Sequence, residues 1–462
     1  MSRKILFINP ISKEVASFST DKGTRFPPIG LLMMAALTPP EWEVEFIDEN
    51  FEPFIFREAD LVALSAMTAN INRAYEIASL YRKEKIPVVL GGIHASMKSD
   101  EAHRYVDSVV VGEGEGVWQE LVNDFKRGKL RKVYHGEKAT LINLPIPRRD
   151  LLSPHYLMGS IQTARGCPFG CEFCSVTLFN GTSYRPRPID EVVKELKTIK
   201  QKIVFFLDDN IIGPDEKARN RAGQLFDAIR HSMVNKFWLG QATIDFADHE
   251  DLMQKAFESG CRIIFIGFES VNEKSLKEMK KGINLRKGVK YYKECIKRFH
   301  DHGISVWGNF ILGNDGDDYS TFRDTEEFVL KNGIDLVNFS CLTPLPGTGL
   351  FERLNKEERI IHRNFPRDWN KYSFTDVVFK PKHLSPSELD RGITEMAKST
   401  FSSLKAERTL CRSLVHNKSF TSSLMAYFMN RAFRRTAKMI IAQKENQWSL
   451  SRSEHSDVGI IL

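Results

Sequence analysis

The chain has 462 residues, 42% of them hydrophobic and 27% charged, an ordinary globular composition with room for two or three cored domains that excludes a disordered or fibrous chain. Its longest uncharged apolar stretch, residues 27–40, is too short and too proline-rich to cross a bilayer. The net charge of +7 is confined to residues 405–444, where nine basic residues meet one acid, Glu407; a near-neutral body with a basic tail is not the footprint of a nucleic-acid enzyme, and no nucleic-acid partner is expected.

The chain runs from Ser2-Arg3-Lys4 straight into residues 5–9, an apolar run too short for a signal peptide and read as a first strand. A reducing, cytoplasmic location is expected. Over residues 1–130, strand candidates at 5–9, 44–48, 61–66, 88–92 and 108–112 alternate with segments of helical period, clearest over 72–85. Continuous Val/Ile/Leu runs joined by helical crossovers predict a doubly wound, Rossmann-like parallel sheet covered on both faces. Such sheets bind ligands outside the carboxyl ends of their strands. Here those ends carry Asn9 and Pro10, Asp48, Ser65 and Thr68, Gly91, Gly92 and His94, and Gly112, Glu113 and Gly114. The glycines either admit a bulky ligand close to the backbone or merely turn the chain.

A connector, residues 131–159, carries Pro145, Pro147, Arg148 and Arg149. A second alternating region, 160–355, has strand candidates at 161–164, 203–207, 237–241, 262–268, 305–312 and 336–341. Six strand–helix units make an open partial (β/α)6 barrel, again with chemistry expected at the strand carboxyl ends. Residues 356–450 are read as a small helical domain and 451–462 as a frayed tail. The predicted fold class is α/β throughout the first two units, with helices alone in the third.

Three of the seven cysteines, Cys167, Cys171 and Cys174, fall within eight residues just after the first strand of the barrel region. In a reducing compartment seven unevenly spaced cysteines do not make a disulfide framework. Gly166, Pro168 and Gly170 favour a wrapped loop over a helix. Three thiolates curled around one point suit an iron–sulfur cluster, because soft sulfur ligands select that chemistry. Structural zinc needs a fourth ligand nearby, and no further Cys or His appears until His231. A cubane held by three cysteines leaves one iron open to the amino and carboxylate groups of an amino acid. The bland alternative is three unconnected, buried thiols. Cys261, Cys295, Cys341 and Cys411 are read as packing residues.

The Cys-x3-Cys-x2-Cys loop after a first barrel strand resembles the radical S-adenosylmethionine (SAM) superfamily. That resemblance implies a [4Fe-4S] cluster whose open iron binds SAM, and a flavodoxin- or ferredoxin-like donor whose electron cleaves it to a 5′-deoxyadenosyl radical. It places Phe173 against the adenine and makes Asp208, Gln241, Glu269, Ser270, Asn309 and Gly313 SAM-facing positions at successive strand ends. The family's usual Gly-Gly-Glu is missing where Asp208-Asp209-Asn210 stands. The first region is similar to the cobalamin-binding class of the superfamily, through Pro27-Pro28-Ile29-Gly30-Leu31, Gly91-Gly92-Ile93-His94-Ala95-Ser96 and Gly112-Glu113-Gly114-Glu115. By that resemblance Asn9, Pro10, Gly30, Asp48, Ser65, Thr68, Gly91, Gly92, His94, Gly112, Glu113 and Gly114 become cobalamin-facing positions. The Asp-x-His-x-x-Gly pattern that ligates cobalt in other cobalamin proteins is absent, so cobalamin would bind here without a protein imidazole.

The class implies a methyltransferase of an unactivated carbon: one SAM methylates reduced cobalamin, a second yields the radical, and the substrate radical takes the methyl group. An oxidative cyclase or rearrangement enzyme is the enzymatic alternative, and a redox sensor without turnover the non-enzymatic one. Residues 265–270, Lys280-Lys281-Gly282-Ile283-Asn284 and the trailing helices are similar to the branch with hopanoid- and archaeal lipid-modifying enzymes, which points to a lipid or other small-molecule substrate. In the basic tail Leu424, Phe428, Phe433, Met439, Ile440 and Ile441 intersperse with cations. That is the pattern of a helix lying peripherally on an anionic membrane, or of one docked on the barrel with its basic face in solvent.

Overall fold

The structure is a computed structural model that describes residues 3–12 and 25–456. Its first sheet contains β1 (Lys4–Asn9), β2 (Glu43–Asp48), β3 (Leu61–Ser65), β4 (Val88–Gly91), β5 (Ser108–Gly112) and β6 (Val133–Gly136), all parallel, in the order β2-β1-β3-β4-β5-β6. Leu6 and Ile8 bury into one helical layer, and Ile5 and Phe7 into the other. Burial on both faces is why these strands read as unbroken apolar runs. Strand order reverses between β1 and β3, the switch point where a crevice opens at the carboxyl ends of such a sheet. β6 lies in the stretch read as a connector. It is four residues long and only Tyr134 is buried, too little for a periodic signal.

The second sheet contains β7 (Met158–Ile161), then, beyond a short antiparallel pair β8 (Ala164–Arg165) and β9 (Arg185–Pro186), β10 (Ile203–Phe206), β11 (Phe237–Ala242), β12 (Cys261–Glu269), β13 (Ser305–Leu312) and β14 (Leu336–Cys341). Its order is β14-β13-β12-β11-β10-β7, so the sheet stays open between β7 and β14. The first strand expected over 161–164 is divided: Gln162 and Thr163 leave the sheet between β7 and β8.

Alternation along the strands assigns the two faces. Val204, Phe206, Trp238, Ile264 and Ile266 pack under the surrounding helices, while Leu239, Ile263, Trp307 and Leu336 point to the inner face. The last helix, Phe420–Ser456, covers that inner face with Met425, Ala426, Met429 and Phe433, and Phe433 meets Trp307 edge-on at 4.6 Å. At the amino ends of the strands Asn417 donates to Ser305 and Ser422 donates to the Gly303 carbonyl. Each apolar side chain buried there contributes about 2 kcal/mol. The apolar residues of the basic tail therefore divide: Phe433 and Ile441 are buried, whereas Leu424, Phe428 and Met439 are exposed. The helix continues beyond Ser451, where fraying was expected, and residues 457–462 lie outside the described residues. No helix among the described residues is long and apolar enough to cross a membrane.

A candidate site between the two sheets

The carboxyl ends of β1, β3, β4 and β5 border a cavity of about 300 Å³. Phe7, Ala63, Val89, Val110 and Trp118 give it apolar walls, and Gly30, Ser65, Gly91, Gly92, Gly112, Glu113 and Gly114 line the rest of that side. Gln162, Arg165, Phe179 and Asn180 close it from the second sheet's side. Its shape depends on the close approach of the parallel neighbours β5 and β6 at their ends, where Gly112 pairs with Gly136. A Cβ on Gly112 (φ +82°) would stand 2.3 Å from the Gly136 oxygen, and one on Gly136 would stand 1.9 Å from the Glu113 oxygen. Only glycine lets the two backbones pass.

Asn9, Pro10, Asp48, Thr68 and His94 are not in the cavity wall. Asn9 donates to Asp48 at 2.9 Å, and Asp48 also accepts from Tyr156. His94 is fully buried, its Nδ1 3.2 Å from the Thr68 hydroxyl, its Nε2 3.3 Å from Glu101 and its ring edge-on to Trp369. Burial holds its pKa below the ordinary imidazole value, against the pull of Glu101. Glu101 accepts further bonds from Tyr75 and Trp369, so His94 ties the first sheet to the chain that follows the second. His94→Ala is expected to cost about 2–3 kcal/mol of stability, the loss of a buried, bonded ring, while leaving the visible spectrum of bound cobalamin unchanged. Thermal melts and absorption spectra of the loaded variant check both.

The cysteine loop begins at Gly166 (φ +94°), between β8 and the helix Val176–Asn180. Cys167 N–H donates to the Gly181 carbonyl at 3.1 Å, and Cys174 N–H to that of Cys171 at 3.1 Å. All three thiols are free and half-buried. Burial pushes them up, Cys167 to about 11, where the other two thiols also contribute. Metal binding would therefore release protons. Among the described residues no three His, Cys, Asp or Glu side chains form a cage for a single ion. Three thiols without a fourth local ligand fit a cluster, whose corners bind separately, better than they fit zinc.

Two ionic groups flank the loop. Lys281 donates to Glu269 at 2.7 Å; burial opposes its charge, but Glu269, Cys171 and Cys174 outweigh it and raise the ammonium pKa. Glu172 accepts from Arg353 at 3.2 Å, and Arg353 also donates to Asp315 at 2.8 Å. Despite burial, Arg359, Lys382 and Arg353 hold Asp315 at about 2. The Glu172 carbonyl receives Leu350 N–H at 3.1 Å, so the loop is bound to the helix after β14.

Strand parity sorts the expected SAM-facing residues. Gln241 and Asn309 lie two residues beyond Leu239 and Trp307 and share their inner face. The Asn309 Oδ1 is buried and has no hydrogen-bond partner among the described residues. Glu269 (φ +64°) ends β12 where its register against β13 shifts. Ser270 accepts from Asn272 N–H, Gly313 N–H donates to Asp317 at 2.9 Å, and Phe173 packs between the two principal cores. Asp208 instead has the parity of the helix-facing Phe206. It is fully buried, accepts from the Thr163 amide and hydroxyl, and is pushed up to about 6 by burial. Its neighbour Asp209 turns to the cysteine loop, accepting from Gly166 N–H at 3.0 Å and Asn180 Nδ2 at 3.1 Å. Alternation past Phe206 was the signal that separates the two aspartates.

Comparison with known proteins places both units of the chain in described families. The radical SAM superfamily model matches residues 161–329 and the B12 binding domain model residues 21–122. The bacteriochlorophyllide d C-12(1)-methyltransferase of Chlorobaculum tepidum is 34% identical over 404 residues, covering 84% of this chain and 85% of that one. The chain belongs to the cobalamin-binding class of the radical SAM superfamily. The hopanoid C-2 methylase of Rhodopseudomonas palustris is 31% identical over 382 residues, 80% of this radical SAM chain and 69% of its own. The radical SAM methyltransferase TsrM of Kitasatospora setae, solved with cobalamin and a [4Fe-4S] cluster, has a TM-score of 0.68 at 17% identity, covering 95% of this chain and 100% of that one, a likeness of fold. The cofactors of this radical SAM protein are a [4Fe-4S] cluster, SAM and cobalamin.

Proposed function

We propose that the protein is a methyltransferase acting on an unactivated carbon of a lipid-soluble substrate. The observation that carries this reading is the shared cavity, where Arg165 and Asn180 beside the cysteine loop face Glu113 and Gly114 at the ends of the first sheet. When bound, the cluster with SAM supplies hydrogen-atom abstraction and the cobalamin supplies a transferable methyl group. Cys167, Cys171 and Cys174 would hold the cluster. Gln241, Asn309 and Glu269 offer SAM polar contacts from one face, and the unpartnered Asn309 oxygen accepts from an ammonium or hydroxyl donor. Gly30, Ser65, Gly91, Gly92, Gly112 and Gly114 admit the flat end of the cobalamin against the apolar walls. The helix Phe420–Ser456 seals the inner face from below, keeping water from a reactive intermediate. The two curated relatives named above are methylases of bacteriochlorophyllide d and of hopanoids, and both names support an apolar ring compound as substrate. With SAM, a flavodoxin- or ferredoxin-like reductant and such a substrate under anaerobic conditions, methylated product should form only when cobalamin is present. Undiminished methylation without cobalamin contradicts the reading.

The same reading includes peripheral contact with a membrane. Phe420, Leu424 and Phe428 repeat every four residues on the side of their helix opposite Met429 and Phe433, and are 68%, 37% and 58% exposed. Val415 on the preceding helix is exposed as well, and Lys418 and Arg431 stand in the same stretch. Apolar residues amid cations suit an anionic bilayer surface. The full chain should float with phosphatidylglycerol vesicles, and F420S/L424S/F428S should lose most of that binding. Failure of the unaltered chain to float removes the membrane contact.

A further inference from the structure

We infer that Glu113 is a positioning residue: through Arg165 and Arg185 it fixes the cysteine loop against the cobalamin cavity. This rests on the reading of Cys167, Cys171 and Cys174 as the cluster ligands. Glu113 follows the Gly112–Gly136 pair at the ends of β5 and β6, and its side chain is 2% exposed. Its carboxylate accepts from Arg165 Nη1 at 2.9 Å, from both terminal nitrogens of Arg185 and from Ala139 N–H at 2.9 Å. Arg165 also reaches Glu115 at 2.5 Å and Gln162 at 2.7 Å.

These arginines are paired across β8 and β9, the neck of the cysteine loop. Arg165 immediately precedes Gly166 and Cys167. Arg185 donates to the Asn180 carbonyl at 3.1 Å, Asn180 donates to Asp209, and Asp209 accepts from Gly166 N–H. One continuous chain of bonds thus begins at the glycine turn lining the cavity and ends on the peptide before the first cysteine. Its cavity end is rigid, because neither Gly112 nor Gly136 has room for a side-chain atom. Its loop end is rigid because a guanidinium holds two carboxylates in a planar fork. Desolvating such charges is costly, and packed apolar residues would join the two units at less cost. What the ionic lattice adds is a fixed separation and orientation between two cofactor sites, which radical chemistry across a gap demands.

Two variants test this, E113Q, which removes the charge both arginines share, and R165K, which keeps the cation but replaces the planar fork with a single ammonium on a flexible stem. In the fully loaded protein, the reduced cluster should accelerate the electron-spin relaxation of Co(II) cobalamin, steeply more so the shorter their separation. Both variants are expected to bind iron and cobalamin at the unaltered stoichiometry, to show a weaker and more dispersed relaxation enhancement, and to lose at least 10-fold in kcat with the KM for SAM unchanged. Unchanged relaxation overturns the inference. So does loss of cobalamin with an intact cluster, which would make Glu113 a ligand contact. Should E113Q fail to accumulate folded, R165K is judged by the same criteria. The magnetic readout is independent of the reaction catalysed, so a failure of the methyltransferase reading is seen separately, and a failure of the cysteine reading appears as the absence of any cluster signal in the unaltered protein.

Discussion

Replacing any one of Cys167, Cys171 or Cys174 with alanine is expected to remove the iron–sulfur chromophore and to lower 5′-deoxyadenosine formation by at least about 10³-fold, equivalent to about 4 kcal/mol of barrier. Among the described residues no substitute ligand is at hand. Cys261, Cys295 and Cys341 are buried in the cores, with thiols that burial raises far above the usual range, and Cys411 lies on a helix of the carboxyl-terminal region. A cluster with two protein ligands has two open irons and is lost to solvent. The fold should survive, because the three thiols are half-buried in a loop held by backbone bonds and by the Glu172–Arg353 pair. Iron and sulfide per chain, the nucleoside yield and a thermal melt read the three parts of this expectation. Full iron content in any of the alanine variants would mean that the loop does not hold the cluster.

The second large effect is expected at a close approach of two backbone segments. Gly136→Ala places a methyl carbon 1.9 Å from the Glu113 carbonyl oxygen, and that neighbour is backbone, with no rotamer to yield. Relief requires β6 to separate from β5 or the turn 112–116 to move. A loss of about 3 kcal/mol or more is the usual scale for overpacking that displaces backbone. Because the displaced turn lines the cavity and carries the carboxylate that holds Arg165 and Arg185, cobalamin retention should fall with stability. Gly116→Ala is the control, since a Cβ there meets nothing within 4 Å. It should match the unaltered chain in melting temperature and in cobalamin kept through gel filtration.

The two sheets were legible in the sequence because parallel strands buried on both faces leave continuous apolar runs, as Ile5-Leu6-Phe7-Ile8 does. β6 was not, because four residues with one buried side chain leave no pattern. Local features were legible: the glycines at the strand ends, which line the cavity, and three cysteines in one loop. The site was less legible where direction matters. His94 sits in a recognisable motif, but its ring turns to Glu101 and Trp369, away from the cavity. Asp208 stands at the expected strand end, yet parity sends its carboxylate to Thr163 and leaves Asp209 to the loop. The lattice of Glu113, Arg165 and Arg185 joins residues 52 and 72 positions apart; nothing in their local sequence announces it, because only the docking of one sheet on the other brings them together. In the basic tail, period distinguished a helix but not which apolar rows meet the barrel. Phe433 finds Trp307, and Phe428 remains in solvent.

The meeting of the two cofactor sites in one methyl transfer is tested most directly by quantifying nucleosides and product together in an anaerobic reaction of the fully loaded protein with SAM, reductant and an apolar ring substrate. Equal amounts of S-adenosylhomocysteine, 5′-deoxyadenosine and methylated product are expected. Formation of 5′-deoxyadenosine with no S-adenosylhomocysteine, the signature of a cyclase or rearrangement, would contradict it.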